Sequence, residues 1–501
     1  MVVSACTPKT HEALFQETLI NAGLNKYLFE MTNIRNQCSW VHKDDMPTAT
    51  QKAKDLVRMS VAKVALHEPL QEPVMKINQA VLVIGGGVAG MMAARTLSQQ
   101  GYPTHLVEKD SQLGGRALFL NESWQGEKVG RFLEDLIDRV QNDKDITVHL
   151  NAEIREVEGF VGNFKTTVQA GGHPVSLEHG VTIIACGASE YKPDDYLHGQ
   201  DKRVLTGLEL QLKLKEGSSF EACRTAVFVQ CVGSRIDKRP YCSKVCCTRS
   251  IKSALELKAL NPGMDIFILY RDLRSYGLRE DLYRQAREQG IKFIRYNTAR
   301  GIAVKPAENR LKVEFTDRVL HRPMVIHGEM LVLASAMVPE KNSPLAPLYK
   351  ISQKADGFFA EAHVKLRPND FATDGVFVCG LAHAPKPLDE SIAQAQAAAS
   401  RAVTVLSALE IAVSGTVARV DPGFCSQCGV CVSVCPYAAP KFNEKTGKAE
   451  IQSTLCKGCG LCAASCRSGA IQLKGFETGQ IMAMITSCMF EEDAITMKNE
   501  E

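Results

Sequence analysis

The feature that most constrains this chain is a pair of cysteine runs near its C-terminus. They read Cys425-x-x-Cys428-x-x-Cys431-x-x-x-Cys435, followed by Pro436, and Cys456-x-x-Cys459-x-x-Cys462-x-x-x-Cys466. Together they use eight of the eighteen cysteines. Two such runs have the ligand spacing of a pair of [4Fe–4S] cubes, each closed by the first three thiolates of one run and the fourth of the other. The crossed rule groups Cys425, Cys428, Cys431 and Cys466 around one cube, and Cys456, Cys459, Cys462 and Cys435 around the other. Paired C-x-x-C knuckles also hold structural zinc, but a zinc site closes with four ligands and has no use for a third cysteine two residues further on. Arg467 stands where a proline would follow the second run, which removes a rigid turn but no ligand. The spacing predicts a segment that folds around metal and carries single electrons.

The rest of the composition narrows the setting. At 501 residues the chain has room for roughly three or four domains. Lys plus Arg number 59 against 56 Asp plus Glu, so no strong field points to nucleic acid or to an anionic membrane surface. Cysteines gathered at ligand spacings, rather than spread as a disulfide framework, point to a reducing cytoplasm. Near Met1 there is no charged stretch leading into an apolar core, and no apolar run approaches the roughly 18 residues that span a bilayer. Membrane contact is therefore expected only through a partner.

A second motif lies upstream. Ala80 to Ile84 read as a buried parallel strand, and Gly85-x-Gly87-x-x-Gly90 follows before a helical pattern starts at Met91. In that setting the glycines give a tight turn, close backbone approach to a pyrophosphate and close helix–strand packing. A second strand, His105 to Val107, ends in Glu108, eighteen residues after Gly90, placed to bind ribose hydroxyls. Leu113-Gly114-Gly115-Arg116 then resembles flavoproteins of the thioredoxin-reductase type. So do Val181 to Gly187, which would be the strand and glycine turn at a first domain crossing, and Asp374 to Gly380, which would be the final strand. The resemblance implies FAD rather than a nicotinamide nucleotide. Gly380-Leu381-Ala382-His383 stands where many relatives have Gly-Asp, so the ribityl contact must differ. A small-residue helix follows, with Ser391 and Ala393 suited to close approach, and its N-terminal amides suit negative charge on the flavin pyrimidine ring. His383 and Lys386 in the connecting loop are candidates for the same task.

A flavoprotein of that type should repeat the glycine fingerprint for NAD(P)H. Here the corresponding strand, Ala226 to Gln230, runs into Cys231-Val232-Gly233-Ser234-Arg235, and the fingerprint is absent. Cys231, Cys242, Cys246 and Cys247 appear instead, four thiols within seventeen residues with basic residues between them. Buried cysteines packed as small hydrophobes are the plain alternative. Beside a flavin domain and two cubes, the set predicts a third [4Fe–4S] centre. Helix spacing puts Lys252, five residues after Cys247, where it could face the flavin.

With these residues in view, the chain resembles the A subunit of heterodisulfide reductases along nearly its whole length. The resemblance is carried by Ser4 to Glu12, Phe29 to Trp40, the Gln230 to Cys247 segment and the tandem cluster motif. It implies an FAD that splits electron pairs between a high-potential and a low-potential route, with clusters as wires. It also implies partners: subunits like heterodisulfide reductase B and C, a donor module of hydrogenase, formate dehydrogenase or NADH dehydrogenase type, and ferredoxin, in a multi-subunit complex for which a dimer is one arrangement. The inserted ferredoxin that many relatives carry after Gly-Gly-Arg is missing, because Ala117 to Glu134 contain no cysteine. Relatives also supply further N-terminal cysteines to a cluster using the Cys6 and Cys38 regions. Those two thiols cannot complete a cube alone and stand as candidate ligands.

The expected fold class is α/β, a thioredoxin-reductase-like flavoprotein with two dinucleotide-binding domains and a C-terminal α+β two-cluster ferredoxin domain. The expected segments are a partial N-terminal domain at 1–75, FAD-binding parts at 76–190 and 346–412, and an NAD(P)-domain-like unit at 191–345 carrying the extra cluster. The ferredoxin is expected at 413–476 and a tail at 477–501. Ala53, Leu56, Val57, Val61, Val64 and Ala65 predict the packing face of a helix over 49–66, and Gln480 to Phe490 predict a docking helix. Glu190 and Lys252 are candidates for tuning the flavin edge, whereas Cys186, Cys223, Cys379 and Cys488 have no ligand-like spacing. Two competing functions share these features: a non-bifurcating relay in a quinone-linked, sulfur-metabolising or aromatic-ring-reducing complex, and an NAD(P)H-dependent reductase with a fused ferredoxin. The missing second fingerprint argues against the latter.

Overall fold

The computed structural model describes residues 1–340 and 344–489 and divides into two compact units, Ile77–Leu409 and Met1–Lys76 with the chain from Glu410. In the larger unit, five parallel strands form the first sheet in the order Val376–Val378, Val181–Ile184, Val81–Ile84, Thr104–Val107, Ile146–His149. Val81–Ile84 and Val181–Ile184 are buried at every position, as an unbroken apolar run requires when both faces of a parallel sheet are covered. Helices Val88–Ser98, Val129–Gln141 and Leu388–Leu406 cover one face. Ala395, Ala398, Ala399 and Ala402 are fully buried there, and their small side chains let Leu388–Leu406 pack against Val88–Ser98. An antiparallel sheet, Ala152–Phe160, Asn163–Ala170 and His173–His179, covers the other face.

The second sheet of this unit repeats the plan, with parallel strands in the order Val204–Thr206, Met330–Ser335, Thr225–Val232, Asp265–Tyr270, Lys292–Arg295. Helices Gly207–Lys215, Cys246–Leu260 and Glu280–Glu288 lie on one face, and the antiparallel strands Ile302–Ala307, Arg310–Thr316 and Pro323–Gly328 on the other. Ala188–Glu190 pairs antiparallel with Met337–Pro339, so the chain crosses between the two sheets twice, side by side.

In the smaller unit, Val2–Ala5 pairs in parallel with Glu30–Asn33, and helices Pro8–Asn21 and Met46–Val64 accompany them. The ferredoxin-like part has two short antiparallel ladders, Ala418–Val420 with Ile471–Leu473 and Pro440–Phe442 with Ala449–Ile451, and one-turn helices Val430–Val434 and Leu461–Ala464. The predicted face of the Met46–Val64 helix needs correction. Val61 is 51% exposed and Lys63 is buried, its Nζ 2.8 Å from Glu30. An ion-pair partner on the neighbouring strand makes burial of the charged side chain tolerable, which apolar periodicity cannot register. The predicted docking helix is Thr478–Met489, and it packs on Met46–Val64 within this unit. Gln480 ties it there by donating to the Leu66 carbonyl at 3.0 Å; Phe490 lies outside the described residues. Among the described residues, no helix is long and apolar enough to cross a membrane.

Candidate functional site

An open cleft of about 930 Å³ runs along the C-terminal ends of the first sheet. The Gly85–Gly90 turn builds its floor. A Cβ on Gly90 would lie 1.8 Å from the Gly85 carbonyl oxygen, whereas one on Gly87 would meet nothing within 4 Å. Gly90 is therefore required by the protein's own packing, whereas the space beside Gly87 opens into the cleft. Glu108 accepts the Gly86 N–H at 2.5 Å and the Asp110 N–H at 2.9 Å, which fixes its carboxylate on the cleft wall. Gly114 donates to the Gly86 carbonyl at 2.9 Å, and Gly115 and Gly187 also line the cleft. Arg116 donates through Nε to the Ala188 carbonyl at 3.1 Å, tying this wall to the crossing strand. Gly-rich turn, helix N-terminus and positioned acid together fit the pyrophosphate and ribose of a dinucleotide.

At the far end of the cleft the predictions divide. Ser391 lines it, but Ala393 falls on the exposed side of the same helix and Gly380 is not part of the lining. A Cβ on Gly380 would lie 2.7 Å from that of Ala89, so close packing is what this glycine serves. Its carbonyl accepts from Lys386 Nζ at 2.6 Å, and the Ala384 carbonyl does so at 2.9 Å. Burial lowers the pKa of this cleft-lining lysine to about 8. His383 sits between Glu361 and Gln394, each at 2.9 Å, and does not line the cleft.

Lys252 does reach the cleft, 2.8 Å from Glu122. Burial of Glu122 works against its charge, but Lys128 and Lys252 hold its carboxyl below the usual range. Glu190, predicted at the flavin edge, is corrected by the structure. It turns into the protein, accepting from Thr206 Oγ1 at 2.7 Å and the Leu208 N–H at 3.1 Å. The orphan donors at the start of Gly207–Lys215 claim the carboxylate.

A rim around the cleft mouth has no sequence signature. Arg279 is 7% exposed and stacks on Tyr276 and Trp124, at 4.7 and 5.4 Å from the ring centroids, while it pairs with Asp389 at 2.6 Å. Tyr276 donates to Glu390, and its pKa is pushed up to about 12 by burial and by that carboxylate. These residues come from separated segments, so only the folded chain unites them.

The four thiols of the second sheet converge. Cys231 occupies a register shift between Val229 and Val232 and adopts φ +63°, a bulge that takes its side chain out of the ladder. Cys246 and Cys247 begin the Cys246–Leu260 helix. The Cys246 thiol is pushed up first by burial and then by Cys247, Cys231 and Cys242, so each of these groups lies within the field of the others. Cys247 is raised to about 11 by burial, with Cys231 and Cys242 adding to it. Such thiols keep their protons until a cationic centre displaces them. Val245, Thr248, Arg249 and Lys252, on and beside the first turns of that helix, line the cleft.

The ferredoxin cysteines enclose two small cavities. Cys425, Cys428, Cys431 and Cys466 line one, and Cys435, Cys456, Cys459 and Cys462 line the other, the grouping that crossed ligation requires. The Cys428 thiol is lowered by the Val430 N–H and the Ser426 hydroxyl. For Cys466, burial opposes ionisation but Ser468 and nearby backbone amides outweigh it. Among the described residues, no three His, Cys, Asp or Glu donors gather tightly enough for a single ion. Cys6 and the short helical segment Arg35–Ser39 that holds Cys38 follow the C-terminal ends of a parallel strand pair. Cys38 is 2% exposed and donates to the Ala49 carbonyl at 2.8 Å.

Comparison with known proteins agrees with this division. The pyridine nucleotide-disulphide oxidoreductase family matches residues 79–235, and the 4Fe-4S dicluster domain matches residues 424–470. An iron-sulfur A subunit of the CoB–CoM heterodisulfide reductase of Methanopyrus kandleri is 35% identical, over 89% of this chain and 83% of its own. The chain belongs to the A-subunit family of heterodisulfide reductases. A second member, the A subunit of the H(2):CoB-CoM heterodisulfide,ferredoxin reductase of Methanothermobacter thermautotrophicus, is 33% identical over 98% of this chain and 88% of its own. The thioredoxin reductase structure from Lactococcus lactis aligns with 66% of the chain at 16% identity and a TM-score of 0.47. Membership makes this chain part of an oxidoreductase, an iron–sulfur flavoprotein with an FAD-binding domain and a 4Fe-4S domain. Sequence reasoning missed the Trp124–Tyr276–Arg279 rim, and the lining role of Cys186, which has no ligand-like spacing although it lies within the Val181–Gly187 strand and turn.

Proposed function

We propose that this chain is the electron-splitting component of a heterodisulfide-reductase-type complex, passing one electron of a pair to a high-potential, disulfide-type acceptor and the other to ferredoxin, or running the same exchange in reverse. The observation that carries this reading is the Cys246–Leu260 helix, which begins with two clustered thiols and also provides Thr248, Arg249 and Lys252 to the cleft wall. Bound FAD supplies the change between two-electron and one-electron chemistry, and bound cubes accept and release single electrons. Gly87 and the Val88–Ser98 N-terminus receive the pyrophosphate, Glu108 takes the ribose hydroxyls, and Gly114, Gly115 and Gly187 let the backbone lie against the cofactor. Lys252 and Lys386 place positive charge on the cleft wall, and the Glu122 pair fixes the position of the first.

Three cubes belong to this reading: one on Cys231, Cys242, Cys246 and Cys247, and two on the crossed ferredoxin sets. Cys6 and Cys38 would join a further N-terminal cluster only with ligands from elsewhere. The partners in this reading resemble the B and C subunits, a hydrogenase, formate or NADH dehydrogenase donor module, and ferredoxin; of these, the relatives' names support ferredoxin and a donor side that draws on H(2) or F(420)H(2). A cytoplasmic setting agrees with the oxidation-sensitive thiols. The test is an anaerobic redox titration of the purified complex with its partners. Crossed one-electron flavin potentials, with donor oxidation coupled to ferredoxin and disulfide reduction in equal electron numbers, are expected. A flavin whose first electron is the easier to remove, with both electrons reaching one acceptor, would leave a simple relay.

A further inference from the structure

The surroundings of the Cys231 set differ from those of the ferredoxin cavities in one chemical respect. Arg235 lies beside the Cys231 thiol, with Arg271 also in its field. Arg249 acts on Cys246, and Arg274 acts on Cys247. Arg235 adopts φ +58°, a conformation costly for a side chain of this size and retained only where the surroundings impose it. Its carbonyl accepts from Arg271 Nη1 at 2.7 Å, and its Nη2 donates to Asp272 at 2.6 Å. Asp272 is shared with Arg295, at 2.9 Å. The remaining terminal nitrogen of Arg235, Nη1, is shielded from solvent and has no acceptor. A buried guanidinium N–H without a partner costs stability unless something at the site completes it. The donors that reach the ferredoxin thiols themselves are neutral, the N–H groups of Ala418, Val430 and Val432 and the hydroxyls of Ser426 and Ser468; the nearby cations are single lysines, Lys457 in the lining of one cavity and Lys448 on the Cys425 carbonyl, against four arginines around the Cys231 set.

We infer that Arg235 sets the potential of the centre built on Cys231, Cys242, Cys246 and Cys247, giving its unused N–H to the sulfur set and holding that centre at a higher reduction potential than either ferredoxin cube. This rests on the third centre proposed above. Reduction of such a centre adds one electron and one negative charge, with no bond made or broken. A fixed guanidinium against its sulfur therefore stabilises the reduced form more than the oxidised form. Arg271 and Arg274 act in the same direction, and Asp272 opposes them. The high-potential electron then leaves the flavin through the Cys231 centre, and the low-potential electron leaves by another route. Arg235 is a positioning residue, since it acts through the cluster.

EPR-monitored anaerobic titration of the holoprotein tests this with three variants. Arg235→Met should lower the reduced-to-oxidised ratio of the Cys231 centre at fixed ambient potential at least tenfold, ~59 mV for a one-electron couple. Arg235→Lys, which keeps the charge but loses the fork, should give a smaller fall, and Asp272→Asn a rise. Both ferredoxin signals should stay in place throughout. A purely structural Arg235–Asp272 pair predicts something different: lower melting temperatures in Arg235→Met and Asp272→Asn, with no opposed shifts in potential. An assembled Arg235→Met centre at the wild-type potential, or an Asp272→Asn shift in the same direction as Arg235→Met, overturns the inference and leaves the third centre standing. If Arg235→Met loses its iron, the other two variants decide it, and failure of both to shift the potential overturns it equally. A wild-type protein with iron for only two cubes would remove the third centre itself.

Discussion

Gly87 and Gly90 lie three residues apart in one turn, and alanine at each should fail in a different way. At Gly90 a new Cβ would sit 1.8 Å from the Gly85 oxygen and 3.0 Å from its carbonyl carbon. The obstacle is backbone, so the turn must move by more than an ångström. Overpacking of a core costs about 1–3 kcal/mol, and an immovable carbonyl puts Gly90→Ala at the upper end, about 3 kcal/mol. Roughly 5–10 °C of melting temperature should be lost with or without FAD. At Gly87 the same Cβ meets nothing within 4 Å, and φ −72°, ψ 177° suits alanine. Lower unfolded-state entropy favours this change by about 0.4–1 kcal/mol, while alanine is a poorer helix N-cap than glycine by a similar amount. Apo stability should therefore stay within about 0.5 kcal/mol of wild type, but the Cβ would occupy the space where the pyrophosphate meets the backbone. FAD affinity should fall at least tenfold, about 1.4 kcal/mol, and Gly87→Val should abolish binding. Differential scanning fluorimetry of the apoprotein and flavin titration separate the two effects. A Gly87→Ala protein that melts early, or one that keeps full FAD affinity, would refute the assignment of this turn as the pyrophosphate site.

Iron analysis after anaerobic reconstitution should give about twelve atoms per chain, four for each of three cubes; about eight would remove the Cys231 centre. Cys247→Ser should weaken or lose that centre's EPR signal, keep FAD and both ferredoxin cubes, and block electron exchange between flavin and partners, whereas unchanged spectra and turnover would make the cysteine structural. Lys386, lowered by burial to about 8 from about 10.4 in an unfolded chain, supplies a pH test. Between these values the unfolded state binds the extra proton, so apoprotein stability should rise with pH across that window, by roughly 1–3 kcal/mol. In Lys386→Met the gain in urea midpoint from pH 7.5 to 9.5 should be smaller, and an identical gain would exclude Lys386 as its source.

What could be read from the sequence is what local geometry decides. The Gly85–Gly90 turn, the acid at Glu108 and both ferredoxin runs are fixed by spacings of a few residues, and each lines the cavity its motif requires. The convergence of Cys231 with Cys242, Cys246 and Cys247 was legible for the same reason, since one strand end, the loop after it and the following helix head carry all four. Positions decided by distant partners were not legible. Lys63 is buried because Glu30 stands opposite it on a neighbouring strand, which turns the helix away from its apparent apolar face. Glu190 was close enough in sequence to the Gly187 turn to suggest the flavin edge, but Thr206 and Leu208 claim its carboxylate. The rim of Trp124, Tyr276, Arg279 and Asp389 depends on three separated segments meeting, and no period or motif marks any of them.

The two sheets of the larger unit also account for the missing nicotinamide fingerprint. Val81–Ile84 is the middle strand of the first sheet and Thr225–Val232 the middle strand of the second. Each leads to the N-terminus of a helix, Val88–Ser98 in one case and Cys246–Leu260 in the other. In a doubly wound fold that position receives a pyrophosphate when glycines leave the backbone open to it. The first sheet keeps the glycines. In the second, the glycine fingerprint is absent, and the bulge at Cys231 and the paired thiols at the helix head stand at the corresponding position. The equivalent place in two related sheets thus serves two electron carriers, a flavin in one and the proposed cluster in the other. The Cys246–Leu260 helix begins with two of the clustered thiols and also lines the flavin cleft, so under the proposed function its first turns would separate the two carriers.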